Sequence, residues 1–240
     1  MLIDRCLICD NVCDSHNFLC PSCLATLESE MFSTFMATCP SCFYPIISPE
    51  YRCPRCLKSP VSSGCAFPVY CVSTYDGNFS YTVLQRFKFR DDKKLANVVA
   101  LMIEKGLDKL DSQCKAVIVP IPCSKVSLRK RGWDQMKEVS KYLNREVLDL
   151  LTVSTNSKVQ QKLLDRSNRM KKDSKRFELS KKYNIKDLLE RLKGRQIILI
   201  DDVSTTFSTL TAAYEALKKI GFEDVKAVVW LYDLKAEKLN

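Results

Sequence analysis

Two neighbouring acids, Asp201 and Asp202, follow four consecutive aliphatic residues, Ile197 to Ile200, and precede a run rich in hydroxyl side chains, Ser204, Thr205, Thr206, Ser208 and Thr209. Four aliphatics in a row read as a strand buried on both faces, as in a parallel sheet. An apolar segment of helical period, Leu210 to Ile220, comes next and stops at Gly221. Open α/β sheets bind their ligands outside the carboxyl ends of the strands. A loop that feeds a helix N-terminus offers backbone N–H groups and the positive end of the helix dipole. Such a loop suits a phosphate, and two acids beside it suit hydroxyl groups or a metal ion. The plainer reading is a strand that ends in two solvated acids.

A second chemistry lies at the other end of the chain. Cys6-x2-Cys9 is followed by Cys20-x2-Cys23, and Cys39-x2-Cys42 by Cys53-x2-Cys56, with the same spacing inside each frame. Each Cys-x2-Cys knuckle brings two thiolates to one ion, and two knuckles complete a tetrahedral site. Segments this short build no core of their own, so the metal supplies the folding energy. The reading is two structural Zn2+ sites. One zinc per frame is the simplest pairing, and interleaved pairing is compatible with the same spacing. Thiol exchange is the weaker reading, because it needs no four evenly spaced pairs. Pro21, Pro40 and Pro54 suit tight knuckle turns. Cys13 and His16 lie inside the first loop, where either could replace a ligand, and the simpler reading makes both spectators. Cys65, Cys71, Cys114 and Cys123 lack metal spacing and read as small buried or half-buried residues.

These groups need elements to place them. Val69 to Thr74 reads as a strand, Asp76-Gly77-Asn78 as a turn, and Phe79 to Phe89 and Leu95 to Leu107 as core-facing helices. Ala116 to Pro122 is a buried strand closed by its prolines. Lys125, Arg129, Lys130 and Arg131 follow it, either as a solvated basic face or as an anion-binding loop. Gly132-Trp133-Asp134-Gln135 then opens a helix reaching to about Leu151, with Thr152-Val153 a short strand. Lys158 to Lys182 is polar, basic and free of glycine. It reads as a solvated excursion or as a lid that closes over an anionic substrate. Val225 to Tyr232 is the closing strand. The order predicts an α/β fold, a mostly parallel doubly wound sheet with right-handed crossovers and a small N-terminal zinc-ribbon domain. The domains fall at residues 1–60 and 61–240. No G-x-G-x-x-G opens a helix, so a dinucleotide-binding unit is excluded.

Composition sets the outer bounds. The chain has 240 residues, 46% hydrophobic and 28% charged, which allows a sizeable core and argues against global disorder. No apolar run approaches the roughly 20 residues of a membrane span. The first residues have no signal-peptide core, so the expectation is a cytoplasmic protein. Thirteen cysteines in that compartment point to metal. The net charge of +10 favours anionic partners, phosphates or nucleic acid, without choosing between them.

At this point a family is visible. Ile198-Leu199-Ile200-Asp201-Asp202-Val203-Ser204-Thr205-Thr206-Phe207-Ser208-Thr209 resembles the phosphoribosyl pyrophosphate motif of type I phosphoribosyltransferases, aliphatics followed by D-D-V-x-T-T-G-x-T. Val119-Pro120-Ile121-Pro122 with Arg131-Gly132-Trp133-Asp134-Gln135 resembles the V-P-x-P and R-G-(F)-N-Q signature of the competence protein F (ComF) family. Gln161, Leu164, Arg169 and Phe177 match the spacing of that family's Q-x-x-L…R…F segment. Tyr75-Asp76-Gly77 and Phe87-Lys88-Phe89 resemble its Y-x-G and K-F elements, and the cysteine frames its double zinc ribbon. The resemblance spans nearly the whole chain, in the expected order.

The resemblance implies a set of roles. Asp201 and Asp202 hold the ribose hydroxyls of phosphoribosyl pyrophosphate and, directly or through water, Mg2+. Ser204, Thr205, Thr206, Phe207, Ser208 and Thr209 cradle its 5′-phosphate. The loop after Ile121, with Arg131 and Arg169 among the candidate cations, meets the pyrophosphate. Pyrophosphate is displaced at the anomeric carbon without a protein nucleophile, by positioning and electrostatic stabilisation. The family's role implies DNA uptake in natural transformation, with single-stranded DNA and DNA-uptake proteins as partners. The alternative is a non-catalytic DNA-binding or scaffold module with a vestigial pocket. Three departures feed that alternative: Phe207 stands at the motif's glycine, Asp134 at the family's Asn, and Lys172 and Lys175 at its Asn and Gly.

Overall fold

The computed structural model describes residues 5–13, 18–31, 37–38, 45–46, 67–76, 78–90, 92–154, 177–205 and 207–233. In chain order the elements are α1 (Pro21–Ser29), the short strands β1 (Ala37–Thr38) and β2 (Pro45–Ile46), β3 (Val69–Thr74), α2 (Phe79–Phe89), α3 (Ala96–Leu110) and β4 (Val117–Pro120). Then come α4 (Lys125–Arg131), α5 (Gln135–Ser140), β5 (Leu151–Val153), β6 (Phe177–Leu179), α6 (Ile185–Arg191), β7 (Ile197–Ser204), α7 (Ser208–Ile220) and β8 (Val225–Tyr232).

The central sheet has the order β3-β8-β7-β4, and every pairing in it is parallel. Its strands are aliphatic on both faces because helices cover both. On β7, Ile198 and Ile200 face α2, α3 and α5, while Ile197 and Leu199 face α6 and α7. This is the doubly wound architecture expected of the sequence. Gly106 marks how closely α3 lies on the sheet. A Cβ there would stand 2.7 Å from Val228 Cγ1 and 2.8 Å from Val72 Cγ2.

Two elements depart from the sequence expectation. The helix that opens at Gln135 ends at Ser140 and does not run to Leu151. Beyond it, the backbone of Glu146 to Leu148 pairs with the open edge of β4: Ile118 N–H donates to Glu146 C=O and Leu148 N–H to Ile118 C=O, both at 2.9 Å. The free edge of a buried strand outweighs local helical pattern. The basic run Lys125–Arg131 is itself a helix, capped by Ser124 and closed by Gly132 at φ 78°. In the Lys158–Lys182 stretch, β6 pairs antiparallel with β5. Residues 155–176 lie outside the described residues, as does Arg169. Cys71 is buried and Cys123 half-buried, as read from the sequence, but Cys114 is exposed, on a turn with φ 53°.

The N-terminal module leans on α2 from both ends. The Glu30 carboxylate accepts from the N–H groups of Phe79 (2.7 Å) and Ser80 (2.8 Å), serving the orphan donors of the first turn. In the last turn, Arg86 donates to the carbonyls of Ile8 (2.9 Å) and Leu7 (3.0 Å), inside the first cysteine knuckle, and pairs with Asp92. No helix among the described residues is long and apolar enough to cross a membrane.

Candidate phosphate cleft and metal centre

β7 extends four residues past its aliphatic run, so Asp201 and Asp202 are in the strand and not after it. Its pairing with β4 stops at Ile200, where Ile121 N–H donates to Ile200 C=O at 3.0 Å. The other edge continues along β8 as far as Ser204. The acids therefore stand where one neighbour has ended, opening a cleft on that side. About 190 Å³ of space is bounded there by Asp201, Asp202 and Thr209 on one wall, and by Ser124, Arg131 and Gln135 on the other. Lys88 enters from the last turn of α2.

Asp202 is 5% exposed, and its Oδ1 lies 2.8 Å from Lys88 Nζ. Its Oδ2 is buried without a hydrogen-bond partner, as is Nε2 of Gln135. Gln135 Oε1 accepts from Arg131 Nη1. The Asp134 carboxylate, which stands where the resembling family has Asn, is fully engaged. It accepts from Cys123 N–H at 3.0 Å and from Met136 and Lys137 N–H at 3.1 and 3.2 Å, so it caps α5 and ties down the loop after β4. Burial, with Asp134 alongside, pushes the Cys123 thiol up to about 12, which keeps it protonated and inert as a nucleophile.

Of the loop residues, Thr209 lines the cleft, Thr205 is exposed and Thr206 lies outside the described residues. The Ser204 hydroxyl is buried and accepts from Phe207 N–H at 3.2 Å. The Phe207 side chain does not face the cleft. It is 4% exposed, packed in the core, and stacked on Tyr232. Its backbone takes the left-handed conformation that glycine would take most easily, φ 55°. Arg131 reaches the cleft, while Arg129 and Lys130 point to solvent, so the basic run divides between both of its readings. The sequence pattern points to no role for Lys88 beyond its place within Phe87-Lys88-Phe89. A lysine one residue after a buried phenylalanine was the available signal.

The first cysteine frame closes on itself. The sulfurs of Cys6, Cys9, Cys20 and Cys23 all lie within 4.8 Å of one another, with Cys9 and Cys20 at 3.6 Å. Four sulfurs around a tetrahedral zinc stand about 3.8 Å apart, so the set fits the ion. The Ser22 hydroxyl and the Cys23 N–H draw the Cys20 thiol down to about 6, while burial pushes Cys23 up. Such a divided cluster ionises fully only with a cation at its centre. Cys13 is buried outside this set. His16 and the second frame, Cys39, Cys42, Cys53 and Cys56, lie outside the described residues.

Comparison with known proteins agrees with this architecture. Residues 126–240 match the phosphoribosyl transferase domain family. Competence protein F of Haemophilus influenzae is 26% identical over 231 residues, 94% of this chain and 95% of that protein. Competence protein ComFC of Streptococcus pneumoniae is 27% identical over 92% of this chain and 97% of the relative. ComFC of Bacillus subtilis is 31% identical over 62% and 58%. The chain is thus similar to competence protein F and ComFC over most of its length, and its body has the phosphoribosyltransferase fold.

Proposed function

We propose that this cleft binds phosphoribosyl pyrophosphate together with Mg2+, and that the protein is a phosphoribosyltransferase-type component of DNA uptake working in the cytoplasm. The observation that carries the reading is the cleft's lining. Two acids suited to vicinal hydroxyls share it with two cations suited to phosphates and with the N-terminal turn of α7. The domains in this reading are residues 1–60, a double zinc ribbon with one Zn2+ per frame, and residues 61–240.

The fit to Mg2+ rests on hard oxygen donors, Asp201 and the unpaired Oδ2 of Asp202, and a bound Mg2+ would neutralise charge developing on departing pyrophosphate. Asp201 and Asp202 orient the ribose through its hydroxyls. Ser204 to Thr209, with Phe207 contributing backbone alone, hold the 5′-phosphate. Arg131, with Arg169 as a further candidate cation, steadies the pyrophosphate. The anomeric C–O bond breaks as an acceptor's lone pair reaches the same carbon, and no protein nucleophile takes part. The inert Cys123 agrees with that. Because the Phe207 ring lies in the core, the vestigial-pocket reading loses the blockage that favoured it.

Calorimetry with phosphoribosyl pyrophosphate, with and without Mg2+, tests the reading. Binding by the wild type and loss in Asp201→Asn/Asp202→Asn is expected. Undiminished binding by that variant, or none by the wild type, removes the proposal.

One observation favours a second reading, single-stranded DNA on the outer face. A groove of about 750 Å³ between the first cysteine frame and the body is lined by Arg5, Lys94 and two exposed rings, Phe18 and Tyr142. Exposed rings between cations suit stacked bases and their phosphates. Trp133 does not belong to that surface. It is 8% exposed, edge-on to Phe87, with Lys93 Nζ 5.5 Å above it. Affinity for a labelled oligonucleotide that falls steeply with salt is the expected result. Binding indifferent to salt, or absent at low salt, rules it out.

A further inference from the structure

The cleft's polar groups are only half matched to one another. Lys88 is fixed by its neighbours. Phe87 is fully buried against Trp133, so the backbone of the last turn of α2 has one seat on the body. From there the Lys88 side chain, 16% exposed, reaches the 7% exposed side chain of Asp202. The pair uses Oδ1 alone, and Oδ2 stays unpaired and buried. Across the cleft, Gln135 is 5% exposed and holds Arg131 through its oxygen, leaving its amide donor unpaired and buried. Buried polar atoms without partners are rare in folded proteins and ask for a ligand or water. The two orphans are complementary in kind. A hydroxyl group can donate to Asp202 Oδ2, and a hydroxyl or phosphate oxygen can accept from Gln135 Nε2.

We propose that Lys88 is a ligand-binding residue of this cleft, held on Asp202 until a sugar diphosphate enters. The ligand's hydroxyls then engage Asp202, Lys88 turns to its phosphate oxygens, and the Gln135 amide donates to the same ligand. The proposal rests on the reading above that the cleft takes phosphoribosyl pyrophosphate, and it adds the source of phosphate charge recognition. No bond is made or broken in the exchange. One ion pair and two orphan atoms become three ligand contacts. A sugar monophosphate can satisfy Asp202 but offers Lys88 no diphosphate, so the structure assigns Lys88 to discrimination between the two.

The experiment compares phosphoribosyl pyrophosphate with ribose 5-phosphate on the full zinc-loaded chain by calorimetry. Lys88→Met is expected to weaken the diphosphate by about tenfold or more and ribose 5-phosphate by less than about threefold, while Lys88→Arg keeps most of the affinity. Lys88→Met/Asp202→Asn leaves no unpaired buried charge and serves if the single variant folds poorly. Against Asp202→Asn alone it should still lose diphosphate binding selectively. Equal weakening of both ligands shows a structural role and overturns the proposal, as does unchanged diphosphate binding. A wild type that binds no phosphoribosyl pyrophosphate overturns the reading of the cleft itself, whereas a wild type that binds it beside an indifferent Lys88→Met overturns only the role of Lys88.

Discussion

The ring of Phe207 stacks on the ring of Tyr232, centroids 5.1 Å apart and planes 15° from parallel. A residue with left-handed backbone at the head of α7 is thus held by its side chain, where a glycine would be held by nothing. Phe207→Gly relieves backbone strain of about 1 kcal/mol. It also empties a buried aromatic site, which costs about 3–5 kcal/mol. The expected net loss is about 2–4 kcal/mol in denaturant unfolding. A variant as stable as the wild type would show that the stack does not anchor the loop.

Removing metal tests the cysteine frames. Native mass spectrometry should find two zinc ions per chain. Cys9→Ser should remove one and Cys42→Ser the other, each independently, if pairing is sequential. With interleaved frames, in which the first knuckle shares an ion with the third, both variants would lose the same ion and the double variant would keep one. A strong chelator should lower the melting temperature, because the ion's binding energy is folding energy for the module.

Gly106→Ala probes the seat of α3. Alanine gains about 0.8–1 kcal/mol of helix propensity. Its methyl meets two valine methyls at 2.7 and 2.8 Å, and rigid β-branched neighbours give way poorly. The clash should win, for a net loss of about 1–2 kcal/mol by thermal melting. A stabilised Gly106→Ala would mean that helix and sheet can part by a few tenths of an ångström at no cost.

Glu146 gives a pH signature. Its hydrogen bond with Arg195, assisted by Arg191 and opposed by slight burial, holds its carboxyl below the ordinary value of 4.5. A depressed folded-state value contributes stability above the unfolded value and loses it as pH falls through the folded one. Glu146→Gln should therefore be less stable than the wild type near neutrality, by less than about 1 kcal/mol because the pair is partly exposed. The two curves should converge in acid. A gap that persists at low pH would point to packing.

Much of this architecture was legible in the residues. The strands Val69–Thr74 and Val225–Tyr232 and the helix Phe79–Phe89 have the expected boundaries, because each is a strongly periodic or continuous apolar run with capping residues beside it. The helix expected through Leu151 failed where a distant strand edge captured Glu146 to Leu148, an interaction no local pattern encodes. The cysteine spacing led directly to the Cys6, Cys9, Cys20 and Cys23 cluster. Lys88 was harder to read. Its partner Asp202 is more than a hundred residues away, and only the placement of α2 against β7 joins them.

The sheet order carries a kinetic consequence. β3 is an edge strand whose pairing within the sheet is with β8, joining Val69–Thr74 to Ala227–Tyr232 near the far end of the chain. During synthesis β3 leaves the ribosome before β8 and waits until the roughly 150 residues between them have followed. Contacts of such long range make folding slow and leave an apolar strand exposed in the interval. The early stretch Glu30–Met31 gives its other edge a neighbour: Ser73 donates its hydroxyl to Glu30 C=O at 2.7 Å, and Met31 bridges Ser73 antiparallel. The N-terminal module thereby covers part of the edge of β3 that no strand of the sheet pairs with, so an early-made segment blunts the side of β3 that would otherwise stay open to another chain.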